Sequence, residues 1–183
     1  MTVPPVAGPY LASVLLLGAA GLAKALRPHD TAVALRSAGL TLRLSRTVVL
    51  VRAGAIAEVI IAGSAVVGPG PVPAGLVALS YLGFAAFVAA ALLRRWPLAS
   101  CGCFGRPDSR PTVAHVVVNA VAALCATWWA LAAPAAMTRA LAGQPGHGLP
   151  LALGAVVCGS LAYLVLANPL AQARLRPQPG RWS

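Results

Sequence analysis

Charged residues are scarce in this 183-residue chain. Asp, Glu, Lys and Arg make up 9% of it, whereas hydrophobic residues make up 59%. A soluble domain of ordinary composition carries roughly a quarter charged residues, so this scarcity excludes an ordinary soluble globular protein. The mean hydropathy of +0.82 agrees with that exclusion. Most of the chain is therefore expected to lie in the hydrocarbon layer of a membrane.

Acidic residues are scarcer than basic ones, because three Asp and Glu stand against 14 Lys and Arg, and the formal net charge is +11. These basic residues flank apolar segments, where Lys and Arg meet lipid phosphates and set topology. We therefore expect the lipid bilayer, and not nucleic acid, as their partner. Cysteine is also rare, and its four copies show no spacing that forms a four-ligand zinc site, so no metal site is predicted.

Five apolar stretches are long enough to cross a membrane as helices, which takes about 20 residues each. They run over Pro9–Leu26, Val48–Gly68, Val72–Leu93, Thr112–Ala133 and Leu149–Asn168. Between the first two, the segment Asp30–Arg46 places Arg36 and Arg43 on one side and apolar residues on another. This pattern is typical of a helix lying in the membrane interface.

The sequence thus predicts an all-α fold. It is a polytopic membrane helix bundle with four to five transmembrane helices plus one interfacial amphipathic helix. Residues 1–168 form the predicted transmembrane domain. Residues 169–183, rich in Arg and Pro, are predicted to be a basic disordered tail.

The most distinctive motif is Cys-Gly-Cys-Phe-Gly at residues 101–105, in a short basic loop between the third and fourth predicted helices. Cys101 and Cys103 can close on each other only as a small strained ring, and strained disulfides are easily reduced. The pair therefore suits electron exchange better than the stapling of a fold. The alternative is a tight turn whose small residues happen to be Cys. Cys125 and Cys158 lie near the middles of predicted helices and are expected to be packing residues.

Polar residues are predicted to gather near the membrane face that carries this motif, because successive helices alternate in direction. Lys24, Arg52, His115 and Asn119 lie near that face. Glu58 lies deeper, about 15 Å from the start of the second predicted helix at ~1.5 Å per residue. A buried acid costs about 2.5 to 3.5 kcal/mol on insertion scales. Glu58 is therefore predicted to face the bundle and to pair with Lys24 or Arg52.

Each polar residue has two interpretations. Glu58 either locks the first two helices together or acts beneath the thiols as a proton acceptor, a ligand contact or an anchor for a cation. Lys24 and Arg52 either reach lipid phosphate or favour a thiolate, the reactive form of Cys. His115 is either an interface histidine or the general base that keeps one thiol ionised. Asn119 is either an interhelical hydrogen bond or part of the same polar site.

In order and spacing, residues 9–130 resemble the methylamine-utilisation MauE family, which is related to the DoxX-like membrane proteins. The likeness rests on Gly21-Leu22-Ala23-Lys24, Arg36, Glu58, the motif at residues 101–105, His115 and Asn119. One position departs from the family, because Val118 stands where members often have Arg.

The resemblance implies a multi-pass protein of the bacterial inner membrane. Such proteins help to mature a disulfide-rich periplasmic enzyme, methylamine dehydrogenase in the type case, together with a thioredoxin-like partner. The resemblance also implies a redox role for Cys101 and Cys103, with Lys24, Glu58 and Asn119 as matching polar positions.

Thiol–disulfide exchange at Cys101 and Cys103 is the leading hypothesis, and it would make the chain a thiol-disulfide oxidoreductase. No cofactor is certain, but a membrane quinone or a redox protein would have to take the electrons. One alternative is a non-enzymatic assembly subunit in which Phe104 anchors a partner. Another is a DoxX-like quinone-linked oxidoreductase of a small anionic sulfur compound held by Lys24 and Arg52.

The orientation in the membrane is predicted differently by charge and by resemblance. Eleven Arg residues lie in the loops and tail on the face of the cysteine motif, and Arg139 stands alone on the other face. The positive-inside rule then places the motif in the cytoplasm, which is the orientation that the sequence favours. The role implied by the resemblance instead needs the motif outside the cytoplasm, where disulfides persist.

Overall fold

The computed structural model describes residues 5–96, 111–132 and 136–167, and the elements within these ranges are all helical. Seven α-helices and one short 3₁₀ helix follow one another along the chain. They are α1 (Ala7–Leu26), α2 (Pro28–Ser37), α3 (Leu44–Val67), α4 (Pro71–Leu93), α5 (Val113–Leu131), α6 (Met137–Ala142), the 3₁₀ helix (Pro145–Gly148) and α7 (Leu149–Ala167). The predicted tail, residues 169–183, lies outside the described residues.

Within the described residues, five helices are long and apolar enough to cross a membrane: α1, α3, α4, α5 and the segment Gly146–Leu164, most of which is α7. This confirms the predicted polytopic helix bundle. Large apolar side chains such as Ile60, Leu79 and Leu124 are exposed on the outer faces of these helices. Exposed apolar faces of this extent are what lipid covers in a membrane protein.

The predicted amphipathic helix is shorter in the structure than in the sequence analysis. α2 begins with Pro28 in its first turn, where its missing N–H is not needed, and it carries Asp30 near its start and Arg36 near its end. Gly39 follows α2 with a φ of +103°, a conformation that favours glycine. Arg43 therefore lies outside α2 and directly precedes α3.

A tight turn joins α3 to α4 at the predicted Gly-Pro-Gly-Pro sequence. Gly70 has a φ of +85°, and Pro71 occupies the first turn of α4, where proline is favoured. The two helices therefore form the antiparallel hairpin that the sequence predicts.

Four helices enclose the interior of the bundle. α1 packs against α3 and α5, and α4 also packs against α3 and α5, while α7 packs mainly against α1. The rings of Tyr10 on α1 and Trp129 on α5 stack with their centroids 5.0 Å apart. The Tyr81 hydroxyl on α4 donates to the carbonyl oxygen of Ser13 on α1 at 2.6 Å. These contacts fix the order of the helices around the core.

α1 and α3 approach each other closely at Gly21. A Cβ atom there would lie 2.9 Å from the carbonyl oxygen of Ala55 and 3.0 Å from the Cβ of Glu58. Glycine is therefore required for this approach. One consequence is that Glu58 is held directly beside the end of α1 that carries Lys24.

Candidate functional site

A buried ion pair joins α1 to α3. Lys24 Nζ lies 2.5 Å from Glu58 Oε1, and the two side chains are only 7% and 13% exposed. The same ammonium lies 4.6 Å from the centroid of the Phe84 ring on α4. A cation this close to an aromatic face is attracted to it. The pair therefore ties three helices together at one layer of the bundle.

Arg52 does not belong to this layer. Its side chain is exposed, and among the described residues the ion pair of Glu58 is with Lys24. Arg52 and Glu58 are six positions apart on α3, which places them about 120° apart around the helix axis. Glu58 was predicted to pair with Lys24 or Arg52, and the structure shows the pair with Lys24.

His115 is 1% exposed in the first turn of α5, where the preceding Thr112 holds its ring. The backbone N–H of Thr112 donates to Nδ1 at 3.3 Å, and the Thr112 hydroxyl oxygen lies 2.8 Å from the same nitrogen. A backbone N–H can only donate, so Nδ1 is the acceptor in this arrangement, and a neutral ring would carry its proton on Nε2. In this tautomer Nε2 of His115 is a hydrogen-bond donor, and the choice between an interface histidine and a general base stays a prediction.

Asn119 is also buried on α5, but its side-chain amide forms a hydrogen bond within the same helix. Its Nδ2 donates to the carbonyl oxygen of His115, one turn earlier, at 2.6 Å. The sequence offered an interhelical hydrogen bond as the structural interpretation. The observed bond instead stabilises the turn that carries His115.

Lys24 and His115 lie at the same depth in the bundle. Lys24 follows Tyr10 by 14 positions on α1, and His115 precedes Trp129 by 14 positions on α5. Because the rings of Tyr10 and Trp129 stack on each other, each of the two residues lies about 21 Å along its helix from the same point. α1 and α5 run in opposite directions, so both residues lie toward the end of the bundle where α4 stops and α5 begins. Lys24, Glu58, Phe84 and His115 are called the inner layer below.

The cysteine motif joins the two helices that end beside the inner layer. Cys101, Cys103 and Phe104 fall between α4 and α5 in the chain and lie outside the described residues. Cys125 is half-buried and Cys158 is exposed, and both line one apolar groove of about 630 Å³ between α1, α5 and α7. That position agrees with a packing or lipid-facing role. Within the described ranges, no three His, Cys, Asp or Glu residues form a possible metal site.

Sequence reasoning missed Phe84 as a member of the inner layer. A phenylalanine in an apolar helix gives no sign in the sequence that a cation lies beside it, because lipid-facing positions also carry phenylalanine. It also missed the donor role of His115, which depends on where the Thr112 backbone points. A Thr three positions before His at a helix start was the available signal.

Comparison with known proteins identifies a family. The family model for methylamine utilisation protein MauE matches residues 3–132. This range contains α1 to α5 and every member of the inner layer, whereas α6 and α7 lie beyond it. No curated protein and no solved structure matches the chain.

Proposed function

This chain belongs to the MauE family of methylamine utilisation proteins, and from that premise we propose that it carries out thiol–disulfide exchange through Cys101 and Cys103. The exchange would support the maturation of a disulfide-containing partner enzyme. We place the chain in the inner membrane of a bacterium. The observation that carries the proposal is the inner layer, whose ionisable members Lys24, Glu58 and His115 are largely buried toward the end of the bundle where the cysteine motif connects α4 to α5.

The proposed chemistry has two steps. The thiolate of Cys101 or Cys103 attacks a disulfide of a partner protein, forming a mixed disulfide and releasing one partner sulfur as a thiolate. The other cysteine then attacks the mixed disulfide, which closes the Cys101–Cys103 bond and releases the second partner sulfur. The partner is thereby reduced by two electrons and the pair is oxidised by two. Run in reverse, the same steps oxidise the partner.

The electrons need a second carrier. We propose a thioredoxin-like protein for this role, with a membrane quinone as the alternative. Among the cysteines of the chain, Cys125 and Cys158 line a groove in the apolar part of the bundle. They are therefore poorly placed to replace a soluble carrier.

The structure weakens one alternative. A DoxX-like site for a small anionic sulfur compound requires Lys24 and Arg52 to act together. Lys24 is instead neutralised by Glu58, and Arg52 is exposed on a different side of α3. The assembly-subunit alternative, in which Phe104 anchors a partner, remains a distinct outcome of the experiment below.

Trapping of a mixed disulfide tests the proposal. In a background with Cys125→Ser and Cys158→Ser, we expect Cys103→Ser or Cys101→Ser to accumulate an adduct that a reductant releases. The background protein, which keeps both motif thiols, is the matched control and should show much less adduct because its second thiol resolves the bond. If neither single variant yields a reductant-sensitive adduct while a partner is still retained, the assembly-subunit alternative replaces exchange.

A further inference from the structure

Two buried polar atoms of the inner layer have no hydrogen-bond partner within the described part of the chain. They are Oε2 of Glu58 and Nε2 of His115. Buried polar groups in native proteins are almost always hydrogen-bonded, either to protein or to ordered water. A buried, unpaired polar atom is therefore a sign that a small polar molecule belongs beside it.

The two atoms have opposite hydrogen-bonding character. His115 Nε2 carries the proton of the ring, because Nδ1 accepts from the Thr112 backbone, so Nε2 can only donate. Glu58 Oε2 is a carboxylate oxygen whose neighbour Oε1 already binds Lys24, so Oε2 can only accept. Water satisfies both, because it accepts from one group and donates to the other.

The two residues lie on helices that occupy opposite positions around the core. Glu58 lies on α3 beside Gly21, and its partner Lys24 is at the same depth as His115 on α5. α3 and α5 occupy opposite positions around the four enclosing helices, each packed between α1 and α4. With neighbouring axes at about 8–10 Å, opposite axes are roughly 11–14 Å apart. At that separation, the polar ends of the two side chains come within reach of one small bridging molecule.

We propose that internal water links Glu58 Oε2 to the Nε2–H of His115 and forms a proton path in the inner layer. This inference deepens the proposed function and rests on it for its role. Each attack by the cysteine pair requires a thiol to become a thiolate and a proton. In the proposed path the proton passes through the water and is accepted by the Glu58 carboxylate. His115 is then a positioning residue that orients the water.

Nuclear magnetic resonance of a single ¹⁵N-labelled histidine tests the water site. The chain has three histidines, so His29→Gln with His147→Gln leaves only His115. We expect a neutral ring with its proton on Nε2 and a magnetisation transfer from that proton to water. Glu58→Gln should shift the Nε2 resonance, and so should Glu58→Asp, which keeps the charge opposite Lys24 if the first variant folds poorly. Asp30→Asn on α2 is the matched control and should leave the resonance unchanged.

A proton on Nδ1, no transfer to water, or an Nε2 resonance that ignores Glu58 would overturn the water link. This readout uses neither the thiols nor a partner, so failure of the trapping experiment would leave it intact.

The role of the water link is measured by the rate at which a maleimide alkylates the cysteine motif in the background lacking Cys125 and Cys158. We expect His115→Phe to lower that rate several-fold and His115→Gln, which keeps an N–H donor, to lower it less. Equal rates would exclude the proton path.

Discussion

At the scale of a residue, Glu58 shows which properties of a side chain can be predicted from the sequence and which cannot. It is the one acidic residue within the predicted spans, so its burial and its need for a cation follow from sequence alone. The choice of Lys24 over Arg52 as its partner does not follow from the sequence. α3 is apolar around most of its circumference, so no polar stripe reveals which side faces the bundle. The choice was decided by Gly21, which lets α1 approach the Glu58 side of α3.

The buried pair predicts a non-additive response to mutation. Glu58→Leu leaves the Lys24 ammonium buried without a partner, and breaking a buried pair in this way costs about 3–5 kcal/mol. Adding Lys24→Leu removes the stranded charge, so the double variant should be more stable in detergent than Glu58→Leu alone. The measurement is denaturant or thermal unfolding followed by circular dichroism.

Arg52 supplies the matched control for this comparison. Because its side chain is exposed, Glu58→Leu combined with Arg52→Leu should be about as unstable as Glu58→Leu alone. If the Arg52 combination restores stability and the Lys24 combination does not, the pairing seen in the structure is wrong for the protein in detergent.

At the scale of an element, the membrane-spanning helices and their approximate ends could be predicted, whereas the end of the interfacial helix could not. The spacing of basic and apolar residues continues from Asp30 to Arg46, so the sequence suggests one long interfacial helix. The structure ends α2 at Ser37 because Gly39 takes a positive φ and redirects the chain into α3. Periodicity carries no information about such a turn, since a single backbone angle breaks the helix without changing the pattern.

The contact between α1 and α3 predicts a sharp contrast between two glycines. A methyl group at Gly21 would meet Ala55 O at 2.9 Å, Glu58 Cβ at 3.0 Å and Val59 Cγ2 at 3.1 Å. Gly21→Ala should therefore destabilise the bundle by about 1–3 kcal/mol, as overpacking does. It should also weaken the Lys24–Glu58 pair, because the helices must separate.

Gly63 on α3 is the matched control, because an added Cβ there has open space within 4 Å. Gly63→Ala should be neutral or stabilising by up to about 1 kcal/mol, since alanine favours a helix. Unfolding in the same detergent compares the two variants directly. Equal stability of the two proteins would mean that α1 and α3 are further apart than the structure places them.

At the scale of the whole molecule, the number of spans and their alternation could be predicted, because length and apolar composition decide both. The packing order around the core could not be predicted, because helices that are apolar on all sides show no hydrophobic stripe that would indicate which helix each one packs against. Small residues and single polar contacts decide it here, such as Gly21 beside α3 and Tyr81 bonded to Ser13. The MauE match covers this packed group, and α7 is added outside it against α1.

The alternation of the helices also predicts which side of the membrane each loop faces. The end of α1, α2, the start of α3 and the end of α4 share one face, and α6 lies on the other. In the sequence, eleven Arg residues fall in the loops and tail predicted for the first face, and Arg139 falls in α6. By the positive-inside rule the first face is cytoplasmic. A maturation role outside the cytoplasm would require the reverse.

Labelling of whole cells with a membrane-impermeant maleimide decides between the two orientations. In chains with no other cysteine, we expect Ala142→Cys at the end of α6 to react in intact cells and Ser37→Cys at the end of α2 to react only after lysis. Both side chains are exposed, so access differs only by the membrane. The cysteine motif, kept alone and mildly reduced, should behave as Ser37→Cys does. If Ser37→Cys and the motif react before lysis, the charge argument fails and the pair lies where disulfides persist. Cytoplasmic labelling instead means that the pair rests reduced, so the exchange delivers electrons outward through a membrane carrier.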